Sequence, residues 1–195
     1  LTLTQVTEIF LTTESYLFRR TMCDLPTNAL NKIFLMLHRE IVRYDGTEDD
    51  YVEKFKYALL SKKERARFPD DVEFKVAFEE RSVYLMNSKN KIYILERFEN
   101  FGTSEDKDVY RHCDDGTYSI EHIMPQHLTP VWQKELGDDY EQIHEEWLHR
   151  MANLTLTAYN SKYSNSSFTE KKTMQNGFDD SGIRMNTWIT KKNKW

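Results

Sequence analysis

The chain has 195 residues, and its 27 basic and 32 acidic residues give a formal net charge of −5. This charge argues against non-specific binding to nucleic acid, because attraction to phosphate needs positive potential. No apolar run approaches the roughly 18 residues that a membrane-spanning helix needs, and residues 1–10 lack the basic start and the cleavage site of a signal peptide. The two cysteines are too few for a disulfide framework, so we expect a cytoplasmic protein with no membrane partner.

The first hundred residues carry the spacing of amphipathic helices, and the scarcity of Gly (6) and Pro (4) favours a mainly helical protein. The clearest apolar stripe, with steps of three and four residues, consists of Leu30, Ile33, Phe34, Leu37 and Ile41. A shorter stripe covers residues 51–59, Asp70 stands three residues before Glu73 as in a capping box, and residues 91–98 continue the helical pattern. We predict a bundle of four or five helices over residues 1–105.

A polar and acidic segment, residues 102–118, has no sustained period and is predicted to be a loop or linker. Beyond it, residues 118–125 and 153–157 alternate in the manner of strands. Residues 132–150 between them are charged and helical or irregular, and residues 168–174 are expected to open a helix. This order of elements predicts a second domain over residues 106–195.

The expected fold class is therefore α+β, mainly α. The chain does not begin with Met, and the pattern before Trp195 is helical, so we interpret the chain as a C-terminally truncated fragment of a longer protein. Its charge is uneven, because residues 150–195 hold eight basic and three acidic residues, a net charge of +5 that leaves −10 for residues 1–149. A basic run is usually a solvated face, but its position directly after the second predicted strand favours contact with nucleic acid.

One histidine, His122, follows a carboxylate inside an apolar stretch that has the pattern of a strand. Adjacent strand residues point to opposite faces, so Glu121 and His122 can share a metal or activate a water only if the strand bends or ends there. Pro125 permits such an end. The alternative is a surface Glu beside a partly buried His, with the later asparagines as ordinary turn residues.

Taken together and in this order, these residues resemble the HNH nucleases, which have a ββα-metal (His-Me finger) fold. The closer resemblance is to the C-terminal nuclease domain of the GmrSD-type modification-dependent restriction endonucleases. The matching segments are IEHIMPQ, VWQKEL and NLTLTAYNSKYSNSSFTEKK, preceded by the helical segments YLFRR, LPTNALNKIF and FPDDVEFKVAF. The resemblance covers most of the chain and implies a metal-dependent DNA endonuclease that restricts phage or other foreign DNA, whether modified or not.

The resemblance also implies a role for each residue of the motif. His122 matches the general base that takes a proton from the attacking water, and Glu121 matches the acid that binds the metal. Asn153 matches the middle asparagine, which orients the histidine. Asn160 matches the final asparagine, a second metal ligand, with Asn165 as the rival assignment. A carboxylate and an amide oxygen favour Mg²⁺ or Mn²⁺ over zinc.

Three lysines after the second predicted strand are expected to contact the DNA backbone: Lys162, Lys171 and Lys172. The nucleotide-handling N-terminal half of the family is absent from this sequence and is expected in the same protein or in a partner subunit. Four histidines remain outside the resemblance and are predicted to be surface or structural residues: His112, His127, His144 and His149.

The sequence departs from the family at Ala152, where the family usually has Gly before the middle asparagine. Alanine tolerates a positive φ less well than glycine does. This departure and the acidic total charge motivate an alternative, in which the chain is a non-catalytic DNA- or protein-binding module that retains a degraded nuclease fold.

Overall fold

The chain divides into two units, Leu1–Glu80 and Arg81–Trp195, and the computed structural model describes all 195 residues. It is mainly helical with one small two-stranded sheet, as the sequence predicted. None of its helices combines the length and the apolar character that crossing a membrane would require.

The first unit contains four helices: α1 (Leu3–Met22), α2 (Leu30–Asp45), α3 (Tyr51–Leu60) and α4 (Asp71–Glu80). Its core includes Ile33, Leu37 and Ile41 of α2, which confirms the amphipathic stripe predicted there. The cap predicted for α4 also forms, because the backbone N–H of Glu73 donates to Asp70 Oδ1 at 2.8 Å.

The second unit begins with α5 (Ser88–Asn100) and α6 (Val109–Asp114), followed by the strand β1 (Ser119–His122). The remaining helices and the second strand are α7 (Pro130–Leu136), α8 (Tyr140–Trp147), β2 (Leu154–Thr157), α9 (Asn160–Tyr163) and α10 (Phe168–Thr173). The strands pair antiparallel, from Ser119 opposite Thr157 to His122 opposite Leu154. Both predicted strands therefore form, and they form one hairpin whose long connection contains α7 and α8.

The division between the units lies at residue 80, whereas the sequence analysis predicted it at residue 105. Helix α5 belongs to the second unit because Leu95 packs in one cluster with Val109 of α6 and Leu156 of β2. The predicted linker is also not continuous coil, since α6 lies within it. A helical period shows that α5 has an apolar face, but it does not specify which core that face joins.

Candidate active site at the end of the first strand

His122 is the last residue of β1, where the regular strand ends three residues before Pro125. Its side chain is 5% exposed, and its Nε2 atom lies 3.4 Å from Nδ1 of His149. Glu121, the preceding residue, contacts Lys171 of α10 instead. The two adjacent side chains thus contact different residues, as neighbours on a strand do.

Asn153 fixes the backbone on either side of the hairpin connection. It is fully buried, and its Oδ1 accepts hydrogen bonds from the Met124 backbone N–H and from Nε1 of Trp195, both at 2.8 Å. Its Nδ2 donates to the carbonyl oxygens of Met124 at 2.9 Å and Leu148 at 3.0 Å. The Asn153 backbone oxygen accepts from Ile123 N–H, so this one residue holds the segment that follows His122.

The residue before Asn153 does not strain this turn. Ala152 lies in the 3₁₀ helix Met151–Asn153, and it is not among the residues with positive φ. An alanine is therefore compatible with the backbone here, and the conformational argument for a degraded loop does not hold in this structure.

Lys171 is buried, and its ammonium group has three acceptors. Nζ donates to Glu121 Oε1 at 2.5 Å, to the His122 carbonyl oxygen at 2.8 Å and to the Ile123 carbonyl oxygen at 3.2 Å. All three acceptors lie at the end of β1, so Lys171 joins α10 to the backbone of the candidate base. This arrangement corrects the expectation that Lys171 contacts DNA, because a side chain with 0% exposure does not reach a phosphate backbone.

Burial shifts the pKa of both partners toward their uncharged forms. It raises the pKa of Glu121 above its ordinary value, although the Lys171 ammonium opposes that shift. Burial likewise lowers the pKa of Lys171, and the Glu121 carboxylate opposes that shift. Burial, followed by the charges of His149 and Lys171, lowers the pKa of His122 to about 4. His122 is therefore a neutral imidazole at pH 7, as a proton acceptor must be.

An aromatic ring lies against both histidines of this site. The Tyr84 ring stacks on His149, with centroids 5.4 Å apart and an angle of 10° between the planes, and meets His122 at 4.3 Å and 68°. Its backbone N–H donates to the His149 carbonyl oxygen at 3.1 Å. Lys91 of α5 places Nζ over the same ring, 4.6 Å from the centroid. The second unit thus needs residues 81–100 to build the surroundings of His122.

Sequence reasoning missed His149, Tyr84 and Lys91 as parts of this site. The sequence predicts a surface or structural role for His149 and places Tyr84 in the helical bundle. The two lie 27 and 38 residues from His122 along the chain, and no local spacing marks either of them. His144, by contrast, donates from Nε2 to the Pro125 carbonyl oxygen at 2.9 Å, and His127 is exposed.

The oxygen atoms that could ligate a metal at this site are of the kind that magnesium and manganese ions prefer. Glu121 Oε2 and Asn160 Oδ1 accept no hydrogen bond, while Asn160 Nδ2 donates to the Ile120 carbonyl oxygen at 3.3 Å, beside Glu121. Mg²⁺ commonly takes one or two protein oxygens and completes its shell with water and phosphate. No group of three His, Cys, Asp or Glu side chains forms a closed metal cage. Asn165 lies in the turn after α9 and makes no hydrogen bond to β1.

The two remaining lysines, Lys162 and Lys172, differ in exposure and in hydrogen bonding. Lys162 of α9 is exposed, with Nζ 5.2 Å from the Tyr159 ring centroid. Lys172 of α10 is half-buried and donates from Nζ to the Lys192 carbonyl oxygen at 2.9 Å. Of the three lysines expected to contact DNA, Lys162 is the one whose ammonium group has no hydrogen-bond or ion-pair partner within the chain.

Most of the chain matches one known family. Residues 68–195 match the family described as GmrSD restriction endonucleases, C-terminal domain. A comparison with curated proteins gives no match. The matched residues include the whole second unit, with β1, β2, Tyr84 and His149. The chain therefore belongs to the family of C-terminal domains of GmrSD restriction endonucleases.

Proposed function

We propose that the second unit is an HNH-like, metal-dependent DNA endonuclease that hydrolyses phosphodiester bonds in the restriction of phage or other foreign DNA. The observation that carries this proposal is His122, a neutral imidazole at the end of a strand that is contacted by His149, Tyr84 and the buried Lys171. Membership of a restriction endonuclease family supports DNA as the substrate.

The chemistry that we propose begins with His122. Its imidazole accepts a proton from a water molecule, the water oxygen forms a bond to phosphorus, and the bond from phosphorus to the leaving oxygen breaks. Asn153 and Lys171 hold the backbone of residues 122–124, so the imidazole keeps its orientation during proton transfer.

A bound Mg²⁺ or Mn²⁺ would supply charge stabilisation for the phosphorane-like transition state and the leaving oxygen. The residues that would hold it are Glu121, through Oε2, and Asn160, through Oδ1. Lys162 is placed on the exposed surface of α9, just beyond β2, and we expect it to contact the DNA backbone. Any sensing of base modification and any nucleotide dependence would come from another part of the same protein or from a partner subunit.

The full protein, incubated with Mg²⁺ or Mn²⁺, should cleave DNA. The His122→Ala variant should lose activity by about 100-fold or more, the range seen when a general base is removed, with an unchanged circular dichroism spectrum. His127→Ala is the matched control, because His127 is exposed and outside the site, and it should cleave at the wild-type rate. Equal activity of the two variants would refute the assignment of His122.

One observation favours the alternative of a non-catalytic binding module. The Lys171 ammonium already pairs with Glu121, so this carboxylate is a poorer ligand for a second cation. A Mn²⁺ titration monitored by electron paramagnetic resonance separates the two functions. Asn160 is exposed, so Asn160→Ala tests the ligand without disturbing the core. Weaker Mn²⁺ binding in this variant supports the nuclease; no Mn²⁺ binding and no cleavage by the wild type would support the binding module.

A further inference from the structure

His122 and His149 form a histidine pair within the second unit. The two atoms that face each other are His122 Nε2 and His149 Nδ1, 3.4 Å apart. An imidazole with the ordinary pKa of about 6.5 is mostly neutral at pH 7. Two neutral imidazoles share a hydrogen bond only if one ring donates and the other accepts, so the pair restricts which nitrogen of each ring carries the proton.

Only two arrangements of the protons are possible. If His122 donates from Nε2, both rings are in the Nε2–H form, which is the commoner tautomer of neutral histidine. If His149 donates from Nδ1, both rings must adopt the rarer Nδ1–H form. Neither His122 Nδ1 nor His149 Nε2 has another hydrogen bond in the chain that would compensate for that cost. The first arrangement is therefore favoured.

In this arrangement the lone pair of His122 is on Nδ1. Two fully buried side-chain nitrogen atoms have no hydrogen-bond partner, Arg20 Nε and His112 Nδ1. His122 Nδ1 also has no partner, but it is not one of these fully buried atoms. It is therefore not completely enclosed by protein. The nitrogen that can accept a proton is thus the one that solvent can reach. The nitrogen that faces His149 is the donor.

Tyr84 holds the two rings in this relation. It stacks on His149 and meets His122 edge to face, so rotation of either imidazole would lose an aromatic contact. Lys91 holds Tyr84 in turn, because Nζ donates to the Tyr84 carbonyl oxygen at 3.0 Å and lies over the ring. The contacts that orient the pair therefore come from two segments of the second unit, the 3₁₀ helix Val83–Leu85 and α5.

We propose that His149 is a positioning residue for hydrolysis: it accepts the hydrogen bond from His122 Nε2 and keeps the lone pair of His122 on Nδ1, where water is deprotonated. This inference rests on the proposed function, in which His122 is the general base. His149 itself touches neither the water nor the phosphate in this scheme. Its effect on the reaction is exerted through the tautomer and orientation of His122.

The direct test is the tautomer of His122 in the wild-type protein, measured at neutral pH by long-range ¹H–¹⁵N correlation NMR without DNA. We expect the proton on Nε2. A proton on Nδ1 would overturn the proposal whether or not the protein cleaves DNA. Cleavage that survives His122→Ala would instead refute the proposed function, so the two failures are distinguishable.

Two substitutions of His149 then separate hydrogen bonding from packing. His149→Phe keeps a ring against Tyr84 but removes the acceptor, whereas His149→Asn places an amide oxygen where Nδ1 was. We expect His149→Phe to lower kcat about tenfold or more, with little change in KM and with loss of the single His122 tautomer. His149→Asn should retain the Nε2–H tautomer and restore kcat to within a few-fold of wild type.

A purely structural role for His149 predicts a different result. Both substitutions would then lower activity equally, or His149→Phe would leave kcat and the His122 tautomer unchanged, and either outcome would contradict the proposal. His144→Asn is the control, because His144 is close to the pair but bonds to Pro125 instead. The His122 tautomer should be unaffected by it.

Discussion

Replacing Lys171 with Met should destabilise the second unit in a way that depends on pH. The substitution removes the ammonium that pairs with Glu121 and bonds to two backbone carbonyls at the end of β1. Glu121 then stays ionised without a partner or takes up a proton. At pH 7, protonating a carboxyl of ordinary pKa 4.5 costs about 3.4 kcal/mol, which is an upper limit on the penalty from its charge.

Burial already raises the pKa of Glu121 in the wild type, so part of this penalty is present there. We therefore expect the free energy of unfolding to fall by at most about 3 kcal/mol at pH 7. At pH 5 the same protonation costs only about 0.7 kcal/mol, so the deficit should shrink to about 1 kcal/mol. Urea unfolding monitored by tryptophan fluorescence measures this directly. All four tryptophans lie in the second unit: Trp132, Trp147, Trp188 and Trp195.

Two further variants make the experiment decisive. The double variant Glu121→Gln/Lys171→Met removes both charges and should be more stable than Lys171→Met alone at pH 7. Lys172→Met changes the adjacent lysine, which has no buried partner, and should cost less than about 1 kcal/mol. Equal costs for the substitutions at 171 and 172, or a deficit that does not shrink at pH 5, would refute the assignment of Lys171 to a buried ion pair.

Three other measurements address the site. In an NMR titration, His122 should protonate near pH 4, and a midpoint near 6.5 would contradict its burial. Its pKa is lower in the folded chain than in the unfolded one. Its contribution to stability is therefore lost as the pH falls from about 6.5 to 4. Asn153→Ala leaves the Met124 N–H, two carbonyl oxygens and the Trp195 indole without partners. The free energy of unfolding, measured in urea, should fall by about 3 kcal/mol. A decrease of less than about 1 kcal/mol would contradict these hydrogen bonds. Lys162→Gln should weaken DNA binding in fluorescence anisotropy for all sequences alike and reduce the slope of log K against log salt by about 1, whereas an unchanged slope would exclude a phosphate contact.

The elements that the sequence predicts best are those with a regular residue pattern. Ile33, Leu37 and Ile41 recur at helical spacing because they share the buried face of α2. The alternation of Leu with Thr over residues 154–157 matches the period of a strand, although both faces of β2 are buried. The boundary between the two units is not marked by any local pattern in the sequence. It depends on which core receives Leu95, and that is a property of contacts between distant segments.

The candidate site divides in the same way. Glu121, His122 and Asn153 belong to contiguous motifs, so the sequence alone selects them. His149 lies in the connection between β1 and β2, and its contact with His122 depends on how that connection folds. No spacing rule relates the two residues. Lys171 was misjudged because lysine is normally exposed, and the partner that makes its burial possible lies 50 residues earlier in the chain.

Chemical rescue tests the central claim, that His122 is the general base, most directly. Single-turnover cleavage of DNA by the full protein should be nearly abolished in His122→Ala and should recover, at least in part, when free imidazole is added, because the small molecule replaces the missing proton acceptor. The wild-type rate should not respond to imidazole in this way. A His122→Ala variant that folds correctly and either cleaves at the wild-type rate or is not rescued by imidazole at any concentration would contradict the account.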